Sequence, residues 1–183
     1  MLRLVAGNPA QIDTPLLAVL VCKDDALYTH GGLLEAIGRV RKLDEFQGAQ
    51  GDHVVLHQPD GFKARRLMVV GLGEVKALDR DALRDAVGHV VGRAITGKMA
   101  GLAVAVPEAT DTSLAYFALL EAVFEGGCLA NHRFDRYKQE KTPRPLKQIS
   151  FVLPQKPTPK IRTLAKRVET VCSGTLLARD WVN

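Results

Sequence analysis

The chain has 183 residues, 46% of them hydrophobic and 25% charged, with a formal net charge of +5 at pH 7. That length is enough for one domain with a sizeable core, because roughly 70% of an unfolded chain's surface is buried at this size, and it is short for two. Sixteen glycines and nine prolines exclude collagen-like, low-complexity and disordered classes, and no apolar run approaches the ~20 residues of a transmembrane helix.

The start, Met1 to Gly7, holds an apolar run too short for a signal peptide. The reading is of a soluble, cytoplasmic protein with no membrane partner. Leu16 to Cys22 is a continuous apolar run that suits a strand buried on both faces. After Gly31-Gly32, Leu33, Ile37 and Val40 recur at helical spacing, with Leu43 at the margin. Gly51-Asp52 punctuates, His53 to His57 reads as a strand, and Pro59-Asp60-Gly61 as a turn. Arg66 to Gly71 is another buried strand, ended by Gly71-Leu72-Gly73.

The next helix has the clearest signature. Asp79 is a good N-cap and Asp81 faces the positive end of the helix dipole. Leu83, Ala86, Val87, Val90, Val91, Ala94 and Ile95 form one apolar stripe, and Gly97 and Gly101 bracket the exit. Leu102 to Pro107 is a strand. Thr112 or Ser113 opens a helix through Leu114, Phe117, Leu120, Val123 and Phe124 that ends near Gly126-Gly127. Asn131 to Pro145 is polar, basic and irregular. Gln148 to Pro154 is the last strand. The closing helix carries Ile161, Leu164, Ala165, Val168, Val171, Cys172 and Leu176 on one face. Strands alternating with long helices predict an α/β domain with a mostly parallel sheet covered on both faces. The neighbouring strands near 53 and 66 could pair antiparallel, which would make the sheet mixed.

The charge is uneven. Residues 133–167 hold 11 Lys/Arg and two Asp/Glu, a balance of +9, and the rest of the chain has a balance of −4. Such a segment serves as a solvated face, as a contact with an acidic partner, or as a nucleic-acid patch, and weak DNA binding is the sharpest of these readings. Only Phe134, Tyr137 and Phe151 are at hand nearby for base stacking. Cys22, Cys128 and Cys172 are an odd number without CxxC spacing, as expected of small buried hydrophobes in a reducing compartment.

Sites for chemistry are thin. Gly71-Leu72-Gly73 follows a strand as a dinucleotide loop would, but Lys76 stands where the third glycine belongs, so a strand-exit turn is expected. His53 and His57, on one strand, would lie ~13 Å apart, too far to share a metal ion. His30, His89 and His132 are scattered. Asp24-Asp25 and Asp44-Glu45 sit beside Lys or Arg and read as solvated charges. Ser113, Ser150 and Ser173 lack the context of a nucleophile elbow. The expected catalytic, cofactor-binding and metal-binding sets within this chain are therefore empty.

Four stretches resemble one family. Gly51 to His57 is a glycine followed by an apolar strand. Arg66 to Glu74 has the form of a basic residue, an apolar strand, G-x-G and an acidic residue, with Leu78-Asp79 opening the next helix. Phe134-Asp135-Arg136-Tyr137-Lys138 precedes a basic, proline-containing loop from Lys141 to Pro145. Ala178-Arg179-Asp180-Trp181-Val182-Asn183 ends the chain. In this order they resemble the amino-terminal domain of the M17 leucyl (cytosol) aminopeptidases over nearly the whole chain, with Trp181 where leucine is usual. The resemblance implies a three-layer, macro-domain-like α/β fold. Residues 1–178 would be the amino-terminal domain and 179–183 the start of a linker to a carboxy-terminal catalytic domain outside this chain. It implies that the full-length protein is a two-metal exopeptidase, with zinc or manganese held beyond position 183, and that it assembles as a hexamer. This domain would then support assembly and substrate access. The alternative is a binding module for DNA or an ADP-ribose-type ligand. The closing helix, from about Pro159 to Arg179, is expected to be the seam to the catalytic domain, with Leu177, Trp181 and Val182 left exposed here.

Overall fold

The continuous apolar runs become the interior of one sheet. A computed structural model of the chain describes residues 2–108, 112, 114–133 and 143–182. Its strands are β1 (Leu2–Ala6), β2 (Leu17–Val21), β3 (His53–His57), β4 (Arg66–Gly71), β5 (Leu102–Ala105) and β6 (Ile149–Leu153). They lie in the order β1-β6-β5-β2-β4-β3. Every pairing is parallel except β3 with β4, which runs antiparallel with His53 opposite Val70 and His57 opposite Arg66. The sheet is thus mixed and mostly parallel, as expected. Every residue of β2 and β5 is buried, as cover on both faces requires.

The helices are α1 (Gly31–Val40), α2 (Arg80–Thr96), α3 (Tyr116–Ala130) and α4 (Pro159–Val182). The chain moves from β2 through α1 toward β4, then back through α2 to β5 and through α3 to β6. Right-handed crossovers put α1 on one face and α2 and α3 on the other. α2, α3 and α4 pack side by side as one layer. Phe124 of α3 meets Phe151 of β6 edge to face at 5.0 Å.

The strongest local signals lie at α2. Asp79 caps α2, its Oδ1 accepting the Ala82 N–H at 2.8 Å, and all seven stripe residues are buried. At the exit Gly97 has φ −73° and Lys98 takes the left-handed turn at φ 50°. A Cβ on Gly97 would press on the Arg93 carbonyl and Met99 at 3.1 Å, so this glycine serves close packing.

The structure differs from the sequence reading at four points. β1 was not foreseen: Leu2–Ala6 pairs in parallel with β6, Leu2 opposite Ile149 and Ala6 opposite Leu153. It is a short edge strand with Arg3 exposed, so its apolar pattern is weak. α3 opens at Tyr116 behind Ala115, while the Thr112 hydroxyl donates to the Leu114 carbonyl; Ser113 lies outside the described residues. α3 also runs through Gly126-Gly127 to Ala130. A Cβ on Gly126 would stand 2.7 Å from the Arg84 carbonyl of α2, and one on Gly127 2.8 Å from Phe151 Cζ. These glycines let α3 approach its neighbours and do not end it. Phe117, expected on the apolar face, is 46% exposed.

Candidate functional site on the terminal helix

The glycine turn is used internally. Leu72 N–H bonds the Val21 carbonyl, Gly73 N–H bonds the Gly48 carbonyl, and Lys23 N–H bonds the Gly73 carbonyl at 2.7 Å. A Cβ on Gly71 would collide with the Ala49 carbonyl. The amides a phosphate would need are taken, and the segment is a strand-exit turn.

Open α/β sheets bind ligands outside the carboxyl ends of the strands where the strand order reverses. Here that point lies between β2 and β5, and the chain's own loop occupies it. The Tyr28 hydroxyl accepts the Leu20 N–H at 3.1 Å and donates to the Ala105 carbonyl at 3.0 Å, bridging the two strands. Leu27 is fully buried beside it with φ 62°, and its carbonyl accepts the Glu108 N–H at 2.7 Å. The crevice is plugged by side chains.

Asp24 and Asp25 are more than solvated charges. Asp24 accepts the Val75 N–H at 2.8 Å and Asp25 the Leu27 N–H at 2.6 Å, which pins the plug loop. Asp44 takes part through its backbone carbonyl, which accepts from the Gln47 amide. His53 and His57 lie on β3 as expected, but His53 packs against His89 of α2 with ring centroids 4.6 Å apart. Burial, with His53 and Arg93 nearby, pushes the His89 pKa down. Ser150 sits half-buried on β6, and the Ser173 hydroxyl donates to the Glu169 carbonyl within α4. Cys22 and Cys172 are buried and Cys128 is half-buried. Among the described residues no group of three or more His, Cys, Asp or Glu could hold a metal ion. None of the helices among them is long and apolar enough to cross a membrane. Most of the F-D-x-Y-K element and the start of the basic loop, residues 134–142, lie outside the described residues. Arg167, from the same basic segment, bonds Glu121.

The terminal helix is the feature that stands out. Thr158 caps it, its Oγ1 accepting the Ile161 N–H at 3.3 Å, with Pro159 in the first turn, where a missing N–H costs nothing. Ile161, Leu164, Ala165, Val168 and Cys172 are buried, so the expected face is real up to Cys172. Val171 is a correction: it is 58% exposed, and Leu176 is only half-buried. Side chains tie this stretch down. Glu121 of α3 pairs with Arg80 of α2 at 3.2 Å and with Arg167 of α4 at 2.5 Å. Glu169 accepts the Leu2 N–H of β1 at 2.6 Å.

Beyond Cys172 the helix continues with little beneath it. Leu177 is 51%, Trp181 80% and Val182 87% exposed. At helical spacing Val171, Gly174, Ala178 and Val182 share one side of α4, and Leu177 and Trp181 flank it, turned away from the buried face. Asp180 holds these turns to the end of α3 through His132 Nε2, at 2.7 Å. Sequence reasoning found this surface through the apolar residues at the chain end, and missed the His132–Asp180 contact that positions it.

The model of the cytosol aminopeptidase family's N-terminal domain matches residues 21–141. The "Probable cytosol aminopeptidase" of a Geobacter species is 30% identical over 100% of this chain and 38% of its own length. That of Syntrophotalea carbinolica is 31% identical over 93% of this chain and 33% of its own length. A mutant of tomato leucine aminopeptidase has the same fold, with a TM-score of 0.76 at 22% identity over 100% of this chain and 38% of that one. The bottromycin maturation enzyme BotP, in complex with manganese, aligns at a TM-score of 0.68 and 24% identity over 93% of this chain and 32% of its own. The chain thus spans about a third of the length of these relatives. It belongs to the cytosol aminopeptidase family and corresponds to that family's N-terminal domain.

Proposed function

We propose that this chain is the non-catalytic part of a metal-dependent aminopeptidase, and that the free turns of α4 are where it meets the catalytic domain. One observation carries the reading: a chain that aligns along its whole length with about a third of a larger enzyme carries on its last helix the four most exposed of its large apolar side chains among the described residues, Val171, Leu177, Trp181 and Val182. Large apolar side chains clustered in water mark a surface that something covers. On this reading residues 1–178 form the domain and 179–183 lead out of it, although α4 itself continues to Val182. Two divalent ions, zinc or manganese, would be held by the catalytic domain. The manganese bound by BotP supports metal use in the wider fold group. The word "cytosol" in the relatives' names supports a cytoplasmic location, and a hexamer is the expected assembly.

Trp181 is the only tryptophan, so its fluorescence reads the seam directly. In the chain alone its emission should be that of a water-exposed indole, readily quenched by iodide. In a polypeptide extended through the catalytic domain, emission should shift to the blue and quenching should fall. Equal emission and quenching in the two would overturn the seam. In parallel, the chain alone should release no leucine from a leucine amide with zinc or manganese, whereas the extended polypeptide should. Metal-dependent release by the pure chain would overturn its non-catalytic role.

A further inference from the structure

Two cysteines far apart in sequence meet where α4 loses its cover. Cys128 of α3 and Cys172 of α4 face one another closely enough for each thiol to perturb the other. Both line a cavity of about 410 Å³ whose walls also carry Leu2, Glu169 and Ser173. Cys172 is buried and Cys128 half-buried, so Cys128 is the more accessible of the two. Cys172 is also the last buried residue of α4. A bond there would lie at the boundary between the anchored helix and its free turns. The glycines just before Cys128 set the height of α3 against α2 and β6.

We propose that Cys128 and Cys172 form a redox-responsive dithiol, closed to an intramolecular disulfide by a low-molecular-weight disulfide and reopened by the corresponding thiol. The Cys128 thiolate attacks one sulfur of the small disulfide. A protein–small-molecule S–S bond forms, the reagent's own S–S bond breaks, and one small thiol leaves. The Cys172 sulfur then attacks Cys128 Sγ, forming the Cys128–Cys172 bond and expelling the second small thiol. The two cysteine sulfurs lose two electrons and the reagent gains them. The two protons lost by the cysteines end on the two released thiols. The product staples α4 to α3 at its last anchored turn. Burial, followed by the charges around it, pushes the Cys128 thiol up to about 12, and burial raises Cys172 as well. Since the thiolate is the nucleophile, closure should be slow at neutral pH and speed up about tenfold per pH unit.

The test uses the reduced chain and excess hydroxyethyl disulfide at pH 9, followed by acid quench, denaturation, alkylation and peptide mapping. The expected product has only Cys22 alkylated, with the Cys128 and Cys172 peptides joined. Its Tm should rise by about 5–15 °C, since the crosslink closes a long loop in the unfolded chain. Cys172→Ser should stop at the mixed disulfide on Cys128, and Cys128→Ser should not crosslink. Mapping of the wild-type chain decides the matter without either variant. Three alkylated thiols after prolonged exposure would overturn the proposal. So would a stable mixed disulfide on wild-type Cys128 with Cys172 free, or a crosslinked protein with unchanged Tm.

Discussion

From Ile161 to Cys172, α4 lies on its own domain; from Ser173 to Val182 the same helix runs on in water. The first stretch buries five side chains and is crossed by the Arg80–Glu121–Arg167 ion pairs. The second exposes Leu177, Trp181 and Val182 and is held near its end by Asp180 on His132. The backbone is continuous through both, because intrahelical bonds do not depend on what covers the side chains. The difference teaches that helical pattern and burial are separate facts. One helix carries two apolar surfaces: the face from Ile161 to Cys172 belongs to its own core, and Leu177 and Trp181, turned away from that face, are left exposed.

Substitutions on the two stretches should therefore behave differently. The largest effect is expected at Leu164, which is 7% exposed on the buried face of α4. Leu164→Ala should cost about 2–5 kcal/mol through lost transfer energy and a cavity, read as a drop in the urea midpoint with unchanged slope. A loss below ~1 kcal/mol would mean that the anchored stretch is itself loosely held.

Two glycines sharpen the contrast by changing the sign. Gly126→Ala forces a Cβ onto the Arg84 backbone across the α2–α3 contact and should destabilise by about 1–3 kcal/mol. Gly174→Ala, on the free turns, meets nothing within 4 Å. It should stabilise the helix by up to ~1 kcal/mol, because alanine loses less backbone entropy. Thermal unfolding of the pair should move Tm in opposite directions.

Glu121→Gln removes the charge shared by Arg80 and Arg167. Both arginines are substantially exposed, so the loss should be only about 0.5–1 kcal/mol and should shrink at high salt.

Acid acts on the anchored layer through His89. Its pKa is lowered in the fold, so below the ordinary histidine value the unfolded chain binds more protons than the folded one. Stability should fall as pH drops from about 6.5 toward the lowered value. His89→Gln should flatten that part of the stability–pH profile measured by denaturant titration.

The smallest effect belongs to the far end. Trp181→Ser should change the stability of this chain by less than ~0.5 kcal/mol, as expected for an exposed site. A large loss would show that the last turns are anchored after all and would erase the contrast.

Much of the architecture could be read without the structure because its causes are local. The apolar runs at Leu16–Cys22 and Arg66–Gly71 are strands because strands covered on both faces leave no polar alternation. The start of α2 follows from Asp79 bonding an amide three residues on. The pairing of β3 with β4 was legible because a short turn joins them. What tertiary structure decided depends on partners far along the chain. Gly126-Gly127 looks like a helix end in sequence, yet it lies inside α3 because Arg84 and Phe151 leave no room for a side chain. β1 is a strand because β6 offers it an edge. Tyr28 fills the ligand crevice through bonds to Leu20 and Ala105, which no spacing rule connects. The meeting of Cys128 and Cys172 at one cavity, and the point on α4 where burial stops, likewise follow from how α3 and α4 are laid side by side. Periodicity and capping are properties of neighbouring residues, and sequence alone determines them. Close approach, plugging and exposure are properties of surfaces brought together by the fold, and only the packed layers settle them.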